Sequence, residues 1–336
     1  MAVTGRRILA GSFRIALTAA ALVVGGVLAL KLVFTQPLVG QIPTEVTVRA
    51  DAVNIRRHVE FLCNDVFPRN TDHLENLNTA ASYIAEAFAL SGGQVHEQVF
   101  DSRGKHYRNI IVSFGPRSEA TFVLGAHYDV FGNLPGADDN ASGVATLIEL
   151  GRVLGRQPLG RRVDLVAYTL EEPPFFGSSQ MGSAVHARAA TEAGLRIRGM
   201  VAIEMVGYFT DRQPWDNLLL QAIYRSKGDF VMVAGRWQDR KLVTFLKRAL
   251  RGASTLPVLS LAAPSGLASD ASDHRNYWLH GFPAVMLTDT ATIRNHNYHT
   301  ARDRPDTLDY DKMAMLVDGL YGVVVHLDQY GGGIPN

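Results

Sequence analysis

The chain opens on a block of apolar positions unlike anything that follows it. Ile15 to Leu30 is an unbroken run of apolar residues, Gly and one Thr, and beyond Lys31 it continues through Leu32, Val33 and Phe34. Counted through Phe34, it is long enough to cross a hydrocarbon layer of about 30 Å as a helix. Arg6, Arg7 and Arg14 precede it, and basic residues on that side keep an end cytoplasmic. Lys31, near the far end, can snorkel to the interface. The pattern predicts a cytoplasmic segment over 1–14, a transmembrane signal-anchor over 15–34, and export of the rest. A cleaved signal peptide, leaving a secreted protein, is the rival reading. Lys31-Leu32-Val33-Phe34 is bulky and offers no small-residue cleavage site.

Residues 35–47 carry Pro37 and Pro43 with few packing signals, and read as a linker. From Val48 the pattern is globular, and one domain is expected over 48–331. Ile55 to Leu62 and Thr79 to Leu90 have helical spacing. In the second, Ala81, Ile84, Ala85, Phe88 and Ala89 share a face, and Gly92-Gly93 stops it. Val95 to Phe100 and Tyr107 to Phe114 alternate like the strands of a hairpin around Ser102-Arg103-Gly104. Short apolar runs at Thr121–Ala126, Arg162–Leu170, Met200–Ile203, Val258–Leu261 and Ala284–Leu287 read as strands. Ser142–Leu154, Ser183–Ala193, Asp239–Leu250, Asp273–Leu279 and Lys312–Gln329 read as helices. This alternation predicts an α/β, three-layer sandwich around a mostly parallel sheet. Tyr208 to Gly235, with Trp215, Tyr224 and Phe230, reads as a lid or pocket wall.

Charge excludes one class of partner. Lys and Arg number 33 against 32 Asp and Glu, interspersed along the chain, so no nucleic-acid binding is expected. Cys63 is the one cysteine. That rules out an intramolecular disulfide and a cysteine-based metal site. Any metal is then held by His and carboxylate, which suits zinc or another first-row divalent ion.

Sites in open α/β sheets form at the carboxyl ends of strands, and His127, Glu171 and Glu204 follow three of the expected strands. Asp129 lies two residues after His127, so on extended backbone the two point the same way. A metal-bound imidazole passes its second N–H to such an acceptor. Pro135-Gly136-Ala137 turns the chain into Asp138-Asp139-Asn140, just before a helix. An N-cap accounts for one of these three residues, leaving a carboxylate for a cation. Asn140-Ala141-Ser142 fits a glycosylation acceptor, discounted because it lies inside the proposed site. Glu171-Glu172 ends an apolar strand, where two carboxylates are costly without employment. One can ligate a cation while the other serves as general base. Glu204 interrupts an apolar run and needs a partner. His299 sits in a polar loop. Taken singly, each has a bland account: a surface histidine, a solvated turn, a strand-end glutamate reaching water. The ordered set carries the case.

The stretches GAHYDV, PGADDNASG, EEPPFFGSSQMGS, IEMVGYF, SDHRNYWLHGFPAVMLTDTA and NYHTARDRPDTLDY together resemble the co-catalytic zinc aminopeptidases. That group includes bacterial leucyl aminopeptidases, glutamate carboxypeptidase II and glutaminyl cyclase, and the resemblance runs from about Val48 to Tyr330. It implies a zinc-exopeptidase fold and two Zn2+ per chain bridged by Asp138. His127 and Glu204 would hold one ion, Glu172 and His299 the other. Asp129 would orient His127, and Glu171 would be general base on a metal-activated water. Glu204 stands where many relatives have Asp. The implied activity is that of an aminopeptidase acting on peptide substrates, here tethered to the membrane by the N-terminal helix. Three alternatives stand beside it: a one-zinc glutaminyl cyclase, a carboxypeptidase-like enzyme, and a receptor-like ectodomain without catalysis. A carboxypeptidase needs a cation for the substrate carboxylate, and Arg294 is the candidate. Ser272-Asp273-His274 is expected near the site.

Overall fold

The computed structural model describes residues 2–329, with side chains from residue 17 onward. Met1, the expected domain end at 331 and the side chains of Arg6, Arg7 and Arg14 lie outside the described residues. A long helix α1 (Ala2–Thr35) leads into α2 (Ala52–Glu60) and α3 (Leu74–Leu90), then the hairpin β1 (Gln94–Ser102) and β2 (Lys105–Phe114). Next come β3 (Ala120–His127), α4 (Gly143–Leu154), β4 (Val163–Tyr168), α5 (Gly182–Glu192) and β5 (Arg196–Ile203). The chain finishes with α6 (Leu218–Ile223), β6 (Val231–Arg236), α7 (Arg240–Ala253), β7 (Val258–Ala263), α8 (His274–Leu279), β8 (Ala284–Thr288) and α9 (Tyr310–Gln329).

One eight-stranded sheet has the order β1-β2-β4-β3-β5-β8-β6-β7. Its centre, β4-β3-β5-β8, is parallel throughout. Strand alternation builds the two outer layers. Phe122, Leu124 and Ala126 of β3 join the larger core with α2, α3, α4, α7 and α9. Val123 points the other way, into a smaller core with Ala187 and Ala190 of α5 and Tyr277 of α8. The three-layer α/β expectation holds, and the sheet is mixed but mostly parallel.

β6 corrects the reading of Tyr208 to Gly235 as lid or wall alone. Val231-Met232-Val233-Ala234 pairs in parallel with β7 and antiparallel with β8. The run is too short and evenly apolar to declare a strand by alternation; its two neighbours make it one. Because β6 and β7 oppose β8, the start of β6 and the end of β8 meet on the side of the sheet where the parallel strands end.

The segment Leu17–Thr35 of α1 has a mean hydropathy of 2.2 and is long and apolar enough to cross a membrane. Its carboxyl end is docked. The Lys247 ammonium donates to the carbonyls of Thr35 and Gln36 at 2.7 and 3.0 Å, satisfying acceptors a helix end leaves open. The Phe34 ring meets Trp237 edge-on at 5.7 Å. Of residues 35–47, Thr35 still belongs to α1 and 36–47 are irregular, yet they are seated along α7. Ile42 N–H donates to Arg248 O at 3.0 Å and Thr44 N–H to Gly252 O at 3.3 Å. Gly252 permits that approach, since a Cβ there would come within 1.7 Å of Ile42 O.

Candidate metal centre

The ends of β3, β4 and β5 deliver most of the site. His127 is the last residue of β3, Glu171 and Glu172 follow β4, and Glu204 follows β5. His127 Nε2 faces Asp139 Oδ1 at 3.3 Å, Glu204 Oε2 at 3.4 Å and Glu171 Oε2 at 3.9 Å. His299 Nε2 faces the other Asp139 oxygen, Oδ2, at 3.1 Å, and Glu172 Oε1 at 3.2 Å. Asp139 therefore presents one oxygen to each imidazole. The His299 ring is stacked between Phe131 and Tyr298, with centroids 4.2 and 3.8 Å away.

Here the structure corrects one residue. The central carboxylate is Asp139, whereas Asp138 was expected. The Asp138 oxygens accept from Gly207 N–H at 2.9 Å and Asn295 Nδ2 at 2.7 Å, away from both histidines. The turn Ala137–Ser142 decides between the neighbours, because Asp139 and Asn140 leave helical φ/ψ there. Asn140 supplies the cap, its Oδ1 accepting from Gly143 N–H at 3.1 Å.

Two further carboxylates act as clamps on backbone. Asp129 takes Glu171 N–H on Oδ1 and Glu172 N–H on Oδ2, each at 3.1 Å. Its backbone carbonyl and Oδ1 lie 3.1 and 3.6 Å from His127 Nδ1. Asp303 does the same on the other loop, taking Asp138 N–H at 2.9 Å and Asp139 N–H at 3.1 Å. Sequence reasoning missed Asp303, although it lies only four residues beyond His299 in the quoted stretch. It also missed Arg69, wholly buried and donating to the carbonyls of Leu62, Tyr128, Pro135 and Gly136 at 2.6 to 3.0 Å. Nothing around Arg69 in the sequence marks it.

The residues expected around substrate fall differently. Ser272 Oγ donates to Glu204 Oε2 at 2.7 Å. Asp273 is buried beside this group with neither oxygen hydrogen-bonded. His274 turns away, its Nε2 on Ser269 O at 2.9 Å and its ring edge-on to Trp278. Arg294 is committed to the protein: Nε donates to Gln213 Oε1 at 2.7 Å, Nη1 to Phe230 O at 2.9 Å. It ties down the 208–230 segment and does not line the cleft, so it offers no cation to a substrate carboxylate.

That cleft, about 390 Å³, is acidic at one end and apolar at the other. Asp139, Glu171, Glu172 and Glu204 line the first end; Trp215, Leu220, Met232, Leu261 and Met286 are among those lining the second. Among the described residues no Lys or Arg lines it.

The electrostatics report a shortage of positive charge. Burial pushes Glu171 well above the usual carboxylate range, with Glu204 and Glu172 adding repulsion. Burial lifts Glu172 to about 8 and Asp273 to about 7. Burial alone would lift Asp139 too, but bonds from His127 and His299 hold it below its ordinary value. Burial would lower His127, yet Glu204, Glu171, Asp129 and Asp139 raise it. The donor set fits divalent cations. His127, Asp139 and Glu204 form one group and Asp139, Glu172 and His299 a second, with ligand atoms within 4.8 Å of one another in each. Imidazole and carboxylate without thiolate is a set that zinc accepts.

A family model described as Peptidase family M28 matches residues 109–324. The uncharacterized protein YfbL of Escherichia coli (strain K12) is 43% identical over 302 residues, covering 86% of this chain and 92% of its own length. Leucine aminopeptidase 1 of Coccidioides posadasii (strain C735) is 28% identical over 249 residues, 68% of this chain and 58% of its own. The chain thus spans little more than half of that relative. LapB from Legionella pneumophila superposes with a TM-score of 0.67 at 20% identity, over 83% of this chain and 73% of its own. Glutaminyl cyclase of Bacteroides thetaiotaomicron superposes at 0.63, also at 20% identity, over 82% of this chain and 98% of its own. At such identities the likeness is one of fold.

The metal-free protein is expected to lose stability as pH rises. Glu172 and Asp273 ordinarily titrate at 4.5 and 3.8 but are held at about 8 and 7 by burial. Between those limits the folded chain keeps protons that the unfolded chain has released, so stability falls with pH. His299, raised from 6.5 to about 9 by its carboxylates against burial, acts in the same direction higher up. Denaturant unfolding in chelator should show the protein weaker at pH 8 than at pH 5 by well over about 1 kcal/mol, and zinc should abolish the difference. Metal-free stability that is flat or rises over this range would contradict the electrostatic account.

Proposed function

We propose that this chain, which belongs to peptidase family M28, is a membrane-anchored di-zinc aminopeptidase that removes N-terminal residues from peptides. Family membership makes it a zinc metallo-exopeptidase. The observation that carries the finer reading is the cleft: carboxylates at one end, an apolar wall at the other, and no lining Lys or Arg. Such a cleft receives an N-terminal ammonium and an apolar side chain. It has nothing to pair with a C-terminal carboxylate, which removes the support for a carboxypeptidase. Two ligand groups sharing Asp139 favour two ions, one held by His127 and Glu204 and one by Glu172 and His299, over a one-zinc cyclase.

Bound zinc would supply Lewis acidity towards the scissile carbonyl and towards water. The chain's own residues do the rest. Glu171 is buried among the ligand carboxylates with Oε2 3.9 Å from His127 Nε2. With cations balancing that charge, its carboxylate is ionised and can take a proton from the attacking water and return it to the leaving amine. Asp129 fixes where that carboxyl stands, since it holds the Glu171 and Glu172 amides. Phe131 and Tyr298 fix the His299 ring. The apolar wall orients the N-terminal side chain, and its burial keeps bulk water from the reacting carbonyl.

Two tests follow. Glu171→Gln should keep its zinc and lower kcat on aminoacyl-nitroanilides by about 10²- to 10⁴-fold; unchanged activity would sink the base assignment. Cyclisation of N-terminal glutamine in place of hydrolysis would put the cyclase reading first. The anchor reading rests on Ile15 to Phe34 and the arginines before it. The chain should stay in the membrane pellet through an alkaline wash, with its periplasmic or extracellular domain cut by protease added to spheroplasts whose inner membrane is intact. A soluble chain, or a protected domain, would overturn the anchor or its orientation.

A further inference from the structure

The anchor helix and the cleft share one apolar cluster. Val27 of α1 packs with Trp215, Ile223, Tyr224, Phe230 and Met232, together with Leu220 and Leu261. Trp215, Leu220, Tyr224 and Leu261 also line the cleft. The cluster that α1 packs against through Val27 thus shares residues with the cleft wall.

Depth follows from helix geometry. Leu17–Thr35 comprises 19 residues, which at 1.5 Å each span about 28 Å, close to the full hydrocarbon thickness. A helix using that length to cross carries Val27, eight residues before Thr35, about 12 Å below the layer's edge. The side chains that α6 lays beside α1 therefore face the layer's near side. α6 lies beside α1 and reads Leu-Leu-Leu-Gln-Ala-Ile. Asn217 caps it, accepting Leu220 N–H at 2.9 Å. Leu220 and Ile223 turn into the cluster, while Leu218 and Leu219 remain 81% and 46% exposed. Adjacent leucines bared on one turn are an unexplained cost in water, and beside a membrane helix they meet acyl chains.

We propose that α6 dips into the leaflet on the domain's side, where Leu218 and Leu219 contact lipid acyl chains as a second membrane attachment beside α1. The proposal rests on the anchor reading. It places the mouth of the cleft at the bilayer surface, where peptides with apolar N-terminal residues concentrate.

The test uses the full chain in phosphatidylcholine–phosphatidylglycerol vesicles. Single cysteines carrying a bimane fluorophore are placed at Val24→Cys in α1, at Leu218→Cys, and at Leu90→Cys. Leu90 is exposed on α3, which packs on β1 and β2 at the opposite sheet edge from β7. Cys63 is buried, and burial pushes its thiol up to about 12, so it stays unlabelled. Lipids bearing a nitroxide either high or deep on the acyl chain then act as quenchers in parallel samples, and the stronger quenching at each site is compared. Quenching at Val24 and Leu218 several-fold above that at Leu90 is expected. Quenching at Val24 with Leu218 no different from Leu90 would overturn the proposal and leave the anchor intact. No quenching at Val24 would overturn the anchor reading, and the proposal with it.

Discussion

Four buried carboxylates around two imidazoles set the terms for the rest of this protein. Asp139, Glu171, Glu172 and Glu204 are each less than a tenth exposed, and their facing cations are His127 and His299. Charge of one sign at that density is untenable in a low-dielectric pocket unless protons or metal ions balance it. The raised Glu171 and Glu172 and the raised histidines are the proton answer. Divalent cations are the answer that leaves every carboxylate ionised and ready to act.

Rigidity around this group comes from backbone. Asp129 and Asp303 each spend both oxygens on consecutive amides, one pair carrying the glutamates and the other carrying Asp138 and Asp139. Arg69 ties the same loop, through the carbonyls of Tyr128, Pro135 and Gly136, to the carbonyl of Leu62 beyond α2. Gly136, at φ +60, gives the turn a conformation that a side chain would strain, and a Cβ there would strike Asp139 O at 2.4 Å. Ligand spacing is thus set by covalent neighbours and hydrogen bonds, which suits a site that must present fixed geometry before its ions arrive.

Much of this was legible in the chain because strand ends are legible. His127, Glu171, Glu172 and Glu204 each follow an apolar run, and parallel strands bring their carboxyl ends together. Asp138 and Asp139 were not separable, since periodicity cannot say which of two adjacent side chains a non-helical turn sends inward. β6 escaped because its apolar run lacks alternation and is defined by partners distant in sequence. Arg294 looked like a free cation beside His299; three-dimensional context commits it to Gln213 and Phe230 O. Asp303 and Arg69 act through backbone groups, which leave no sequence pattern.

The apolar end of the cleft is linked to the N-terminal helix, since Trp215, Tyr224 and Met232 belong both to its lining and to the cluster against which Val27 packs. The central proposal is that Asp139, which presents one oxygen to each imidazole, is the carboxylate shared by two ions. Crystals of the zinc-loaded protein, with anomalous scattering recorded at the zinc edge, address it most directly. The account requires two peaks, one on each side of Asp139, each about 2.0–2.2 Å from one of its oxygens. A single peak, or a pair centred on Asp138, would contradict it.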